Sequence, residues 1–246
     1  MSTSERQEKI LEILREEGFL SVELLAQKTY TSPSSIRRDL TRLQNMGFVK
    51  RTHGGAGILG ENGQAVPLTN RMTQNTTGKR KIAKIAASLL RDGQSIMLDG
   101  SSTASFLIPH IAKHKDVTLF TNNMATAMNA INFGIPTHCI GGASVNGSAV
   151  LSGEESYRAV MEINPDILFF SSHGIDADGI ITDPTQSENH LRRLMISRAK
   201  RSVFLCDSEK FNKSALYTLV SINDIDIAVF DEPWSELRAE CEIMIG

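Results

Sequence analysis

Two groups of side chains in this sequence have the types and spacing for recognition chemistry. The first lies in "SSIRRDLTRL", residues 34–43: Ser34, Arg37, Arg38, Thr41 and Arg42, with Asp39 as the one acid among them. Guanidinium and hydroxyl groups are the side chains that bond phosphate oxygens and guanine edges. A merely solvated helix would intersperse Glu with its Arg to gain i,i+4 pairs. The second group is dispersed. "DGSST" (99–103), Thr121-Asn122-Asn123, Gly141-Gly142, Ser171-Ser172-His173-Gly174, and Asp207 with Lys210 each follow a short apolar run. Hydroxyls and free N–H groups at a helix start suit an anion. The competing reading of Ser101, Ser102 and Thr103 is that they only cap a helix. Polar residues after several apolar strands converge on one composite pocket. His173 beside Gly174 is read as a ligand contact.

These groups need elements to position them. Ser4 to Gln7 has capping-box spacing ahead of Ile10, Leu11, Ile13 and Leu14, and Gly18 is a stop. Ser21 caps a second, short helix with Val22, Leu24 and Leu25 as buried candidates. Ser32 and Pro33 open a third helix, which runs to about Met46 with Gly47 as its end. Ile36, Leu40 and Leu43 fall at i, i+4 and i+7, so they form its buried stripe and leave Ser34, Arg37, Arg38, Thr41 and Arg42 outside it. "FVKRTHGGAGIL" predicts a hairpin turning at Gly54-Gly55 and carrying Lys50, Arg51 and His53. Three short helices and a basic hairpin within residues 1–58 predict a winged helix-turn-helix.

Residues 59–78 lack periodicity and predict a linker. From 79 the texture changes. "SIMLD", "VTLFT", "PTHCIGG", "DILFFSS", "SVFLCD" and "DIAVFD" predict strands, with helical patterns at 79–93, 103–113, 123–133, 154–163 and 186–200. The alternation predicts a larger, mainly parallel α/β domain over 79–246, with helices on both faces of the sheet.

The bulk numbers agree. The 246 residues are 41% hydrophobic and 22% charged, which fits a soluble globular chain. No apolar run reaches the length of a membrane span. The charged start lacks an export signal, so a cytoplasmic location is expected. Cys139, Cys206 and Cys241 are odd in number and lack metal spacing, and are expected as buried hydrophobes in a reducing compartment. The net charge of −2 is unevenly spread: residues 28–57 hold six Lys/Arg against the single Asp39, a local +5. One basic stretch in an otherwise acidic chain is an electrostatic footprint for a polyanion.

Ser32 to Ala56 matches the pattern S-x-x-[ST]-I-R-R-D-L-x-x-L-x-x-x-G-x-[VL]-x-R-x-H-G-G-A almost end to end, and resembles the N-terminal region of the DeoR family of bacterial transcriptional regulators. The resemblance implies DNA contacts at Ser34, Ser35, Arg37, Arg38, Arg42, Arg51 and His53. Arg37 and Arg38 project about 100° apart. Arg38 shares a face with Ser34, Ser35 and Arg42, while Arg37 is equally suited to bracing the backbone or pairing with Asp39 or a domain surface. Residues 79–231 resemble the family's sensor domain through "DGSST", "TNN", "GG", "GID…DGIIT", Glu188 and "DSEKF". That domain is similar in fold to ribose-5-phosphate isomerase. The resemblance implies a phosphorylated sugar or related effector. It assigns Asp99, Ser101, Ser102, Thr103, Asp207 and Lys210 to effector binding, beside Asn122, Asn123, Gly142 and His173 from the pocket argument. The family often has small residues at Ser171-Ser172, a small or polar one at His173, and Gly at Asn212.

The resulting expectation is a homo-oligomeric (dimeric or tetrameric) regulator, and a repressor by default. Its partners are double-stranded operator DNA and the effector, with no cofactor, metal or membrane. The alternative is an isomerase-like enzyme using Asp99, Asp176, Glu188, Asp207 and Lys210 as acid–base groups. The appended DNA-binding module and the lack of a nucleophile–base pair or metal cluster argue against it. "DADGIITD", with Asp178 and Asp183, only weakly matches a cation loop. A scaffold that merely dimerises is a third reading.

Overall fold

The computed structural model describes residues 3–17, 19–45, 49–52, 55–58, 68–145 and 148–246. The chain divides into two units, Met1–Arg71 and Met72–Gly246.

In the first unit, α1 (Thr3–Glu17), β1 (Phe19–Ser21), α2 (Val22–Lys28) and α3 (Pro33–Asn45) precede a hairpin of β2 (Val49–Thr52) and β3 (Gly55–Ile58). The caps expected at Ser21 and Ser32 form. Ser21 Oγ accepts the Leu24 N–H, and Ser32 Oγ accepts the Ser35 N–H one turn into α3. α1 starts at Thr3, so Ser4 lies within the helix rather than ahead of it. Gly18, Met46, Gly47, His53 and Gly54 lie outside the described residues. Ile36, Leu40 and Leu43 are buried against Ile10, Leu14, Leu25 and Val49. Leu24, expected inside, is exposed, and Ala26 fills the core instead. The hairpin also gains β1, which pairs with β3 in the order β1-β3-β2. A three-residue strand carries too little periodicity to be legible beforehand.

Residues 68–78, expected within a linker, are largely helical: α4 (Leu68–Thr73) is followed by α5 (Thr76–Ala86). The second unit continues with β4 (Ser95–Leu98), α6 (Ser102–Ser105), α7 (Ile108–Ile111), β5 (Thr118–Thr121), α8 (Met124–Asn132), β6 (Thr137–Cys139), β7 (Ala143–Ser144), β8 (Leu151–Ser152), α9 (Glu154–Met161) and β9 (Ile167–Phe170). It ends with β10 (Gly174–Ile175), β11 (Ile180–Asp183), α10 (Gln186–Arg198), β12 (Ser202–Cys206), β13 (Tyr217–Ser221), β14 (Ile227–Phe230) and β15 (Glu242–Ile245). The helix expected over 103–113 is two pieces, because Pro109 has no N–H to donate to the Ser105 carbonyl four residues back.

Seven strands form one sheet in the order β15-β14-β12-β9-β4-β5-β6, every neighbouring pair parallel. Side chains alternate across it. Ile96 and Leu98 of β4, Phe169 of β9 and Leu205 of β12 enter one core with Ile82 and Leu107. Met97, Phe170 and Phe204 enter the other with Leu191 and Met195. β10, β11 and β13 form a small antiparallel sheet, and β7 pairs with β8.

The parallel register is pinned at the amino edge by a repeated device. Asp166, just before β9, accepts from the N–H (2.9 Å) and hydroxyl (2.7 Å) of Ser95, which opens β4. Asp226, just before β14, does the same to Ser202, which opens β12 (2.7 Å each). Lys200 Nζ adds a 2.8 Å bond to Asp166. These bonds bring the Asp166 carboxyl down to about 2 from an ordinary value of 3.8.

A carboxylate depressed in the folded state contributes stability above its unfolded value and loses it as pH falls through the folded one. With a third of the Asp166 side chain exposed, solvent screening reduces the worth of that shift to about 1 kcal/mol. Asp166→Asn therefore lowers stability by about that much at pH 7, and the gap closes as pH falls from about 4 toward 2. Urea unfolding followed by Trp234 fluorescence checks this, since Trp234 is the chain's one Trp and stacks on Phe211 in the second unit.

Candidate DNA interface and effector site

α3 presents the candidate DNA contacts because its other face is committed. Asp39 is buried and accepts from Arg6 and from Gln7 (3.3 Å) of α1, so the one acid of the stretch is spent inside the fold. Its carboxylate also raises the Arg6 pKa. Arg38 and Arg42 stand exposed, with no ion-pair partner among the described residues. Arg37 Nη2 instead lies 3.4 Å from Glu23 of α2, not on Asp39. Ser32 Oγ lies 3.0 Å from the hydroxyls of both Ser34 and Ser35. Arg51 lies on β2, and His53 lies outside the described residues. Sequence reasoning missed Tyr30, a fully presented aromatic with a left-handed backbone (φ 51°) in the turn before α3.

In the second unit, parallel pairing brings the carboxyl ends of the strands to one edge. Asp99 follows β4, Asn122 follows β5, Ser171 follows β9, Asp207 follows β12 and Asp231 follows β14, and all five are buried. Asp99 Oδ1 accepts the Ser101 N–H (3.1 Å); Oδ2 accepts from the Ser171 N–H (3.3 Å) and Arg192 Nε (2.9 Å). Arg192, on α10, also donates to Asp183 (2.7 Å) and lies 3.7 Å from Glu188. Burial works against its charge, yet Asp183, Asp99 and Glu188 together raise its pKa. Sequence reasoning missed Arg192. The only signal was its i,i+4 spacing from Glu188, which alone reads as a surface pair.

Lys210 joins the cluster from the other side. Its Nζ lies 2.7 Å from Ser171 Oγ, 3.3 Å from Thr103 Oγ1 and 3.5 Å from Asp207 Oδ2. Burial pushes the Asp207 carboxyl up. Lys210, Lys79 and the Asn75 amide overcome it and hold the carboxyl below its ordinary value. Asn75 was also missed. Its left-handed backbone (φ 39°) lets one side chain cap α5 at Gly78 N–H and donate to Asp207 Oδ1 (3.3 Å). Gly78 is required there, since a Cβ would meet Asp231 Oδ2 at 2.3 Å.

Other candidates are chiefly structural by geometry. Ser101 Oγ caps α6. Asn123 caps α8 and ties it to the Gly100 carbonyl (3.2 Å). Gly142 has φ 136° and lies so close to Ser152 and Ser156 that a Cβ would clash. Ser102 is buried beside Thr103, and His173 is half-buried before β10. Asn212 has φ 54°, the left-handed conformation that explains why glycine is common at that position. Asn122 Nδ2 donates to the Leu151 carbonyl, but its buried Oδ1 has no partner among the described residues.

The family models decide what this arrangement belongs to. One described as "DeoR C terminal sensor domain" matches residues 74–232, and another described as "DeoR-like helix-turn-helix domain" matches residues 6–61. The chain belongs to the DeoR family of DNA-binding transcriptional regulators. A putative aga operon transcriptional repressor of Escherichia coli O157:H7 is 30% identical over 94% of this chain and 87% of its own. The L-fucose operon activator of Haemophilus influenzae is 32% identical over 96% of each. The glycerol-3-phosphate regulon repressor of Escherichia coli K12 is 25% identical over 95% and 92%. Among solved structures, ribose 5-phosphate isomerase A from Methanocaldococcus jannaschii is a distant likeness, with TM-score 0.43 and 20% identity over 56% of this chain and 55% of that one.

Within this DeoR-family chain several carboxylates offered for an enzyme or for a cation loop have other occupations. Glu188 and Asp183 pair with Arg192, Asp176 accepts the Ile180 N–H, and Asp178 pairs with Arg238. Among the described residues no group of acids, histidines and cysteines is placed to hold a metal ion, and no helix is long and apolar enough to cross a membrane. Cys206 is buried as expected, whereas Cys139 is exposed and Cys241 half-buried, because β6 and the approach to β15 lie at the sheet's edges.

Removing a cation from among buried carboxylates leaves their charges uncompensated. Arg192→Ala is expected to cost about 3–5 kcal/mol at pH 7. Urea unfolding at pH 7 followed by Trp234 fluorescence reads it.

Proposed function

We propose that this chain is a cytoplasmic transcriptional repressor of carbohydrate-metabolism genes whose affinity for a double-stranded operator is set by a phosphorylated sugar or related metabolite. Residues 1–58 bind DNA, 59–78 connect, and 79–246 bind the effector with Asn75 reaching in from the end of the connecting stretch, in a homo-oligomer that pairs the winged helices on half-sites.

Ser34, Ser35, Arg38 and Arg42 from α3, with Arg51 and His53 from the wing, contact the operator. Arg37 orients α3 through Glu23 while remaining near the phosphates. Arg38 and Arg42 carry most of the affinity, because neither gives up an intramolecular partner on binding.

The observation that carries the effector reading is the Lys210 ammonium against Thr103 and Ser171, facing buried acceptors. The cation and the hydroxyls of Ser101, Ser102 and Thr103 suit a phosphate. Asn122 Oδ1, without a partner, and Asp207 Oδ2, with only its 3.5 Å contact to Lys210, suit sugar hydroxyls that donate. A phosphorylated sugar offers both. The relatives' names, a glycerol-3-phosphate regulon repressor and an L-fucose operon activator, favour a carbohydrate-related metabolite. Asp99 acts by orienting Ser101 and Ser171 rather than by touching the ligand. Asn75 hands changes at Asp207 to the start of α5, close after the boundary between the units.

Arg38→Ala is expected to weaken operator binding by about 10- to 100-fold and Arg37→Ala by less, both read by gel-shift titration. Wild-type affinity falls steeply with salt, because phosphate contacts release counterions. A thermal-shift screen of pentose, hexose and triose phosphates yields a stabilising ligand whose effect Lys210→Met abolishes without changing effector-free DNA affinity. That ligand and operator DNA weaken each other by one common factor. Turnover of the ligand would favour the isomerase-like alternative.

A further inference from the structure

Between Asp116 and Glu154 the chain runs 37 residues, Val117 to Gly153, without one Asp, Glu, Lys or Arg, although 22% of the whole chain is charged. This segment builds β5, α8, β6 and the β7–β8 pair, which is one complete edge of the large sheet. Much of it faces outward. Met124, Met128 and Ile131 stand at i, i+4 and i+7 on α8, 44%, 59% and 54% exposed, and Phe133 follows at 47%. His138 and Cys139 are exposed on β6, the terminal strand of the sheet. Sheet edges are normally guarded by charge, because a bare edge recruits another chain. The opposite edge, β15, carries Glu242 facing Arg201. The β6 edge carries nothing of the kind.

We propose that the outer face of α8 with the β6 edge is the surface on which a second copy of this chain seats, about a two-fold axis. The charge pattern selects this occupant. In a two-fold interface each patch meets itself, so any charge near the axis confronts its own kind. A face without charges is complementary to itself, and its methionines repack to fit. The same lack of cations makes it unsuited to nucleic acid or to a phosphorylated metabolite. The proposal rests on the regulator reading in one respect: a single winged helix covers one half-site, so a regulator of this design needs two copies.

Sedimentation equilibrium of the full chain without DNA tests it. The wild type is expected at twice the 27.0 kDa chain mass, or an even multiple of that. Met128→Glu places like charges across the axis and halves the mass, with the dissociation constant raised at least about 100-fold. Met128→Leu keeps the wild-type mass. Met161→Glu, on the equally exposed end of α9, also keeps it. Unchanged far-ultraviolet circular dichroism in Met128→Glu shows that the fold is retained. A wild type of single-chain mass at micromolar concentration, an undissociated Met128→Glu, or dissociation by Met161→Glu overturns the proposal. Failure of the regulator reading is separate: it is the loss of Arg38-dependent operator binding, whatever the mass.

Discussion

The carboxyl edge of the large sheet depends on one buried guanidinium. Arg192 holds Asp99 at the end of β4 and Asp183 at the end of β11, and so joins the main sheet, the small antiparallel sheet and α10 at a point without solvent. The arrangement then propagates by hydrogen bonds. Asp99, fixed by Arg192, fixes the Ser101 and Ser171 amides; Ser171 receives Lys210; Lys210 faces Asp207; Asp207 receives Asn75. Buried ion pairs are seldom a net gain over apolar packing, because both ions lose their water. Their value here is positional: a polar pocket floor cannot be built from leucines.

The DNA-binding unit solves the converse problem. A helix with three arginines on its outer face needs an anchor that does not neutralise them. Asp39 turns inward to Arg6 and Gln7 on α1, and Ile36, Leu40 and Leu43 supply the rest of the adhesion. The acid that looked like a partner for Arg37 therefore serves the neighbouring helix. This leaves a local positive field on a chain whose net charge is −2 and concentrates its attraction for a polyanion on one helix and its wing.

The fold was legible wherever one periodicity held for a full element. The stripe of α3, the caps at Ser21 and Ser32, the hairpin and the six apolar runs of the sheet followed from local rules. The short strands β1, β10, β13 and β15 did not, since they exist only because a partner strand is in place. The candidate site was half legible. Strand-end residues such as Asp99, Asn122, Ser171 and Asp207 announce themselves by following apolar runs. Arg192 and Asn75 do not, because one lies mid-helix and the other in a segment without periodicity, and the strand-end partners that bring them to the site, Asp99 and Asp207, lie 93 and 132 positions away. Gly142 and Asn123 stand out for the same positional reason, and the contacts the structure gives them are backbone crowding and helix capping.

The paired Asp–Ser ties, Asp166 to Ser95 and Asp226 to Ser202, sit at the amino ends of the strands, opposite the pocket. Strand alignment is thus secured on one rim while the other rim carries the buried polar groups proposed to face the effector. Substitutions at Ser102, Asn122, His173 or Lys210 can accumulate without disturbing the register of the sheet. Such a division makes the scaffold evolvable: lineages can retune the pocket to new metabolites, each change being tried on a frame whose integrity is underwritten elsewhere.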